Sequence, residues 1–210
     1  LYLVDEEKEI VLDDPGLQTA YQQMVQLRDE RQLYKEELEG ALERALQYED
    51  CYDPLKYEVI EPILEERLYA DGVTGHEVNE QMYGQCGILF RAILPMVTTD
   101  YIRLFFDNLC LGLIRTVSVP RGIFVVFGIL VYAALTGLLF WKQMRKRSLA
   151  IRLFLLLSLG MTLLHVAATS AVIMCLSRYV IYNTTFLYSA GFLALVEEIP
   201  ILWERNKHGI

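Results

Sequence analysis

Apolar and polar positions along this chain fall into two regimes, the first rich in charge and the second almost free of it. From Leu17 to about Gln47, Leu27, Tyr34, Leu38, Leu42 and Leu46 form one apolar stripe among many charges. That spacing predicts a single amphipathic helix, solvated on its other face. Asp13-Asp14-Pro15-Gly16 precedes it as a turn or helix start, and Asp50-Cys51-Tyr52-Asp53-Pro54 interrupts it. A second helix follows from Pro54 to Leu68, bent or reset at Pro62, with Tyr57, Ile60, Leu64 and Leu68 on its apolar face. Asp71-Gly72-Val73-Thr74 is a stop and restart, and Thr74 with Glu77 has capping-box spacing. A third helix is expected from Gly75 to about Leu94, ended by Pro95. Thr99-Asp100 opens a fourth, through about Thr116, carrying Ile102, Phe105, Phe106, Leu109 and Leu113. Arg103, Asp107 and Arg115 argue against a simple span there. This segment reads either as a helix on the outer membrane surface or as a core helix of the preceding domain.

Beyond it the pattern changes. Gly122 to Trp141 holds no charge and is long enough to cross the hydrocarbon of a bilayer. Leu153 to Leu176 is a second uncharged run, with His165, Thr162, Thr169 and Ser170 as its polar points and Gly160, Ala167, Ala168 and Ala171 as small contact residues. A third segment, about residues 182–203, is expected to span with Glu197 and Glu198 near its inner boundary, or to insert halfway. The fold class is therefore an all-α membrane protein, with residues 1–121 a helical domain and 122–210 about three transmembrane helices.

Charge adds orientation. Residues 1–121 carry 24 acidic and 11 basic side chains, whereas 122–210 carry 3 acidic and 8 basic, within a total of −8. Lys142, Arg145, Lys146, Arg147 and Arg152 lie between the first two spans, which places that loop in the cytoplasm and residues 1–121 outside. Leu1 is not Met and no signal peptide opens the chain, so a longer protein is expected, of which this is the C-terminal part. The negative balance and the lack of interleaved basic and aromatic residues exclude nucleic acid as a partner. Membrane lipids are the expected partner, and the basic loop would attract anionic ones.

Few residues point to chemistry. Arg178 stands at the outer end of the second span, where its fixed donor set suits a phosphate; Tyr179, Tyr182 and Tyr188 follow with ring faces and hydroxyls. Asn183-Thr184-Thr185 matches an N-glycosylation sequon, although the membrane edge is a poor place for one. His165 reads as a hydrogen-bonded packing histidine. His76, Glu77 and Glu80 lack the second histidine of a zinc helix, so no metal is assigned. Asp13-Asp14 and Glu65-Glu66 read as solvated charge rather than acid-base pairs. Cys51 and Cys86 either pair or stay as buried thiols, and Cys175 reads as a small core residue.

Two stretches carry a resemblance. One is Tyr48–Asp53, followed by a short helical domain to Tyr101–Thr116, just before a span; the other is Ser177-Arg178-Tyr179 at the end of a later span. Over roughly residues 17–205 the layout resembles the C-terminal region of bacterial polyprenyl-phosphate-dependent, multi-spanning membrane glycosyltransferases of the protein mannosyltransferase and aminoarabinose transferase superfamily. The resemblance implies a bacterial plasma-membrane protein with an upstream transmembrane bundle and a polyprenyl-phosphate-linked sugar as donor. Catalytic carboxylates, and any divalent metal they hold, would lie upstream of this chain, which itself carries no cofactor. Arg178, Tyr179 and Tyr182 would bind the lipid phosphate. Two other classes fit the same pattern: a non-catalytic membrane subunit presenting an acidic helical domain to a partner, and a transporter fragment with a broken third span.

Overall fold

The computed structural model describes residues 1–4, 10–140, 149–172 and 177–208, with the side chains of 172, 177–178 and 197–208 excepted. The described elements are helical throughout and divide into two compact units, Leu1–Asp107 and Asn108–Ile210. The basic loop residues Lys142, Arg145, Lys146 and Arg147, with Trp141 and Cys175, lie outside the described residues.

In the first unit, α1 (Pro15–Glu30) starts where Asp14 accepts the Leu17 N–H at 3.0 Å and Pro15 supplies a pre-set φ. It buries Leu17, Ala20, Tyr21, Met24 and Arg28. The expected helix through Gln47 breaks instead at Gln32, which adopts φ +58°. Leu33 N–H donates to Arg28 C=O at 3.0 Å and Gln32 N–H to Asp29 C=O at 3.1 Å, the paired closure that satisfies the last carbonyls. A Gln in place of the usual glycine makes this stop invisible in the sequence. The stripe that was to pass through Tyr34 and Leu38 therefore does not exist as one helical face.

Residues 31–40 are irregular, and α2 (Ala41–Pro54) follows. Asp50–Pro54 does not interrupt the chain's helical course. A π-helical segment (Leu55–Ile60) leads directly into α3 (Glu61–Ala70), with Glu61 N–H donating to Lys56 C=O. Pro54 and Pro62 bracket this segment. Pro62 lacks a donor and crowds the carbonyl of Glu58 four residues back, and the wider i→i+5 turn there accommodates it. Leu55, Val59, Leu64 and Leu68 are all buried, whereas Tyr57 is exposed.

After a turn with positive φ at Gly72 and Gly75, α4 runs from His76 to Val117 without interruption. Pro95 does not end it, and Thr99-Asp100 does not restart it. Pro95 sits on the exposed face, where water can satisfy the carbonyl its ring leaves without an N–H donor. In the first unit α4 buries Val78, Met82, Leu89, Ile93, Val97 and Leu104 against α1, α3 and the π-helical turn. Arg28, 1% exposed, donates to the carbonyls of Leu1 and Val4 and pairs with Asp29. It thereby fastens the segment holding Tyr2, Leu3 and Val4, which is also core.

The second unit holds the last turns of α4, then α5 (Ile123–Phe140), α6 (Leu149–Val172) and α7 (Ser177–His208). Its membrane-length stretches are Ile123–Phe140, Leu149–Ala171 and Tyr179–Val196, and they support a multi-pass membrane protein. Both later stretches start before the sequence-based boundaries, because α6 takes in Arg152 and α7 already includes Ser177. The third is unbroken helix through Pro200. Leu155 clusters with Leu187 and Ala190, and Val166 with Val180, so α6 and α7 pack antiparallel. A Cβ on Gly191 would lie 2.7 Å from Leu135 Cδ2, so α5 and α7 meet where a side chain is missing.

Candidate functional site

The sequence-based site sits on the first two turns of α7. Helical spacing places Tyr179 and Tyr182 on one face. Tyr182 is 72% exposed and Tyr179 is half-buried. Arg178 belongs to the first turn, and its side chain lies outside the described residues. Glu197, Glu198 and Arg205 likewise have no described side chains.

Tyr188 does not join this group. It lies nine residues beyond Tyr179 within the same membrane-length stretch, and its hydroxyl donates to Val117 C=O at 2.6 Å. Thr116 and Tyr132 share a second hydroxyl contact at 2.6 Å. Two tyrosines thus hold the end of α4, where unpaired carbonyls would otherwise face an apolar surrounding.

Asn183 is 6% exposed and its amide nitrogen lies 2.9 Å from His165 Nδ1 on α6. A glycan acceptor must offer a free amide on an accessible segment, so the sequon has no structural support. The same contact makes His165 a hydrogen-bonded packing residue, as its place in the apolar run suggested. Ser158, Thr162 and Ser170 are buried on the same helix. Thr162 donates to Ser158 C=O at 2.7 Å, a local bond that removes a hydroxyl from hydrocarbon.

The first unit holds a feature the sequence did not reveal. A polar cleft of about 440 Å³ is lined by residues including Tyr2, Lys35, Arg44, Asp100, Arg103 and Asp107. Arg44 grips Asp107 in a two-point pair, Nε to Oδ2 at 2.7 Å and Nη2 to Oδ1 at 2.8 Å. Its Nη1 also donates to the carbonyls of Leu38 and Glu39 at 3.0 and 2.7 Å. The hydrogen bonds to Asp107 raise the Arg44 pKa, against the opposing effect of burial. Lys35 pairs with Asp100 at 2.9 Å. The guanidinium therefore ties the irregular 31–40 segment to α4. Only a fold brings residues 63 positions apart together, so no local signal announces the pair.

The remaining candidates take structural roles. Asp14 pairs with Arg67 at 2.6 Å besides capping α1; the Leu17 N–H first, and then Arg67, hold its carboxyl below the usual 3.8. His76 Nε2 and Glu80 Oε1 are 3.9 Å apart at the surface, and no group of three metal-ligating side chains occurs among the described residues. Cys51 and Cys86 are free thiols in α2 and α4, and burial pushes both pKa values up. A raised pKa reduces the thiolate fraction and with it nucleophilic use.

Comparison with known proteins gives no family model, no curated protein and no solved structure that matches this chain.

Proposed function

We propose that the chain is the C-terminal part of a bacterial membrane glycosyltransferase that moves a sugar from a polyprenyl-phosphate donor to an acceptor on the outer face. The observation that carries this reading is the arrangement Arg178-Tyr179-Tyr182, set in the first two turns of a membrane-length helix with Tyr182 open to its surroundings. A guanidinium at a membrane boundary can meet a lipid phosphate with parallel donors, and flanking tyrosines suit the same boundary. In transfer, the bond from the sugar's anomeric carbon to the phosphate oxygen breaks as the acceptor oxygen bonds to that carbon. The acceptor's proton passes to a carboxylate upstream of this chain. Arg178 offsets the negative charge that grows on the departing phosphate. Tyr179 and Tyr182 shape an amphipathic mouth for it. The partners are membrane lipids, the polyprenyl-phosphate-linked sugar and an upstream transmembrane bundle.

The test compares Arg178→Lys and Arg178→Ala in the full-length protein for donor binding and turnover. Both variants should lose affinity or rate while inserting normally, because Lys cannot form the two-point contact. Native affinity and rate in both variants would remove the phosphate role. Orientation is tested separately with a single cysteine at Gln143, which an impermeant thiol reagent should not reach in intact cells.

A second reading is favoured by one observation. The Leu1–Asp107 unit has its own apolar core and carries 24 acidic and 9 basic residues. A non-catalytic subunit presenting an acidic helical domain would look like this, and would bind its partner unchanged when Arg178 is replaced. The unbroken course of α7 offers nothing to the transporter reading.

A further inference from the structure

Ahead of Pro95, α4 turns one side to the core of the first unit and leaves the opposite side bare. Val78, Met82, Leu89 and Ile93 face inward. Glu80, Tyr83, Gly84, Gly87, Ile88 and Arg91 follow one another at steps of three and one, which gathers them on the other face. Tyr83 is 72% exposed and Ile88 is 49% exposed, with the two glycines between them. A Cβ on Gly84 would meet nothing within 4 Å, and one on Gly87 would meet only Arg91 Nη2, at 3.8 Å. Each glycine costs a helix about 1 kcal/mol relative to alanine, and no close neighbour within this unit offsets that cost. Charge closes both ends of the face. Glu80 is exposed, with the exposed His76 3.9 Å away. Arg91 is exposed too, and its Nε turns back to donate to Gly87 C=O at 3.2 Å.

These residues are balanced about the midpoint between Gln85 and Cys86. Glu80 and Arg91 stand equally far from it, as do Tyr83 and Ile88, and Gly84 and Gly87. A two-fold axis through that point lays a second α4 antiparallel on the first. At about 100° per residue, Tyr83 and Gly87 fall on one side of the centre line of the face, and Gly84 and Ile88 on the other. The two-fold axis preserves these sides. It sets Tyr83 over the partner's Gly87 and Ile88 over the partner's Gly84, so that each large side chain meets a gap. Glu80 meets the partner's Arg91 at both ends. An isologous contact requires such a patch, one that is its own complement.

We infer that the Glu80–Arg91 face of α4 is a self-association surface, and that its occupant is the same face of a second copy of this chain, running antiparallel. The glycines let the two backbones approach closely, and the flanking Tyr83 and Ile88 lose exposed apolar area on pairing. Charge selects the orientation: a parallel copy would oppose Glu80 to Glu80 and Arg91 to Arg91. The face is only about three turns long, so the dimer belongs to the small, weakly held class. The surface lies wholly within the Leu1–Asp107 unit and is independent of any sugar-transfer activity.

The experiment follows the full chain in detergent micelles by sedimentation over a range of concentrations. The native chain should pass from monomer to dimer as concentration rises. Glu80→Arg sets two bases against each other at both ends, and Arg91→Glu sets two acids; each alone should raise the dissociation midpoint about tenfold or more. An equal mixture of these two variants should recover native association, because each end of a mixed pair again holds one acid and one base. Gly84→Leu should also separate the copies. Its melting temperature by circular dichroism should not fall, since leucine is the better helix former, and this separates lost pairing from lost folding. A native chain that stays monomeric overturns the proposal and leaves the face to a different protein. Native-like association of either charge variant overturns it too, and assigns dimerisation to another surface. Single variants that separate but do not reassociate on mixing refute the antiparallel pairing.

Discussion

Replacing Arg44 with Ala is the most direct test of how the first unit is held together. Asp107 has a side chain only 6% exposed, and Arg44 is 17% exposed, so both charges are largely withdrawn from water. Removing the guanidinium leaves a buried carboxylate with neither of its two hydrogen bonds, and also frees the carbonyls of Leu38 and Glu39. Breaking a buried pair by removing one partner costs about 3–5 kcal/mol; the lower end applies because Arg44 keeps some solvent contact. Cys51 supplies the assay, since it is 7% exposed in the same core. With opening fast relative to labelling, the Cys51 labelling rate follows the open population. A loss of about 3 kcal/mol then speeds labelling roughly 100-fold, read by mass spectrometry on the Cys51 peptide. Exposed Cys110 serves as an internal control whose rate should not change. The double replacement Arg44→Met with Asp107→Leu should recover most of the loss, because it removes both buried charges together. A rate for Arg44→Ala within about threefold of native, a difference of under 1 kcal/mol, would refute the reasoning.

Three further outcomes follow from the described geometry. Asp14 is held below 3.8 in the folded chain, so its contribution to stability is complete above its unfolded value and disappears as pH falls through the lower folded value. Melting temperature by circular dichroism should therefore fall as the pH is lowered past the ordinary 3.8, and Asp14→Asn should flatten that fall; an unchanged profile would count against the cap and the Arg67 pair. Gly191→Val should weaken the α5–α7 contact, because even a Cβ would lie 2.7 Å from Leu135, at a cost of about 1–3 kcal/mol in thermal unfolding. Gly137→Val is the control, with nothing within 4 Å of its Cβ, and equal stability of the two variants would disprove the close approach. Asn183→Ala should cost only about 0.6 kcal/mol, the average for a hydrogen bond between membrane helices. It should cause no electrophoretic shift in a glycosylating host; a glycan-sized shift would contradict the burial of Asn183.

The membrane-length helices were legible because their signal is physical and local. Nothing but hydrocarbon accommodates a run such as Ile123–Phe140 at low cost, so length and lack of charge suffice. The charge-rich half was harder to segment. Pro95 reads as a helix end, yet a proline on an exposed helical face loses one hydrogen bond and leaves the freed carbonyl to water. Gln32 reads as a helix former, yet it supplies the left-handed residue that stops α1. Asp13-Asp14 read as solvated charge, yet Asp14 caps α1 and pairs with Arg67, a partner 53 residues away that spacing does not reveal. The same holds for Arg44 and Asp107. In the candidate site, the sequence put Tyr179, Tyr182 and Tyr188 together behind Arg178, but Tyr188 stands apart. Its role depends on Val117, which only the packing of α4 brings near.

The π-helical turn carries a consequence for insertions and deletions. The buried positions Leu55, Val59, Leu64 and Leu68 are spaced four, five and four residues apart. An ordinary α-helix would set Leu64 well around the cylinder from Val59; the wider turn absorbs one residue and returns it to the same side. The segment thus acts as a phase correction written into the chain length. Deleting a single residue between Val59 and Pro62 would let regular α geometry take over with Leu64 and Leu68 still on the buried side, whereas inserting one there would rotate everything beyond it by about 100°. After such an insertion Leu64 and Leu68 would swing away from α1, and Ile63 and Arg67 would turn toward the core. Sequence changes that conserve every apolar residue here can still be ruinous, because what this stretch stores is a count.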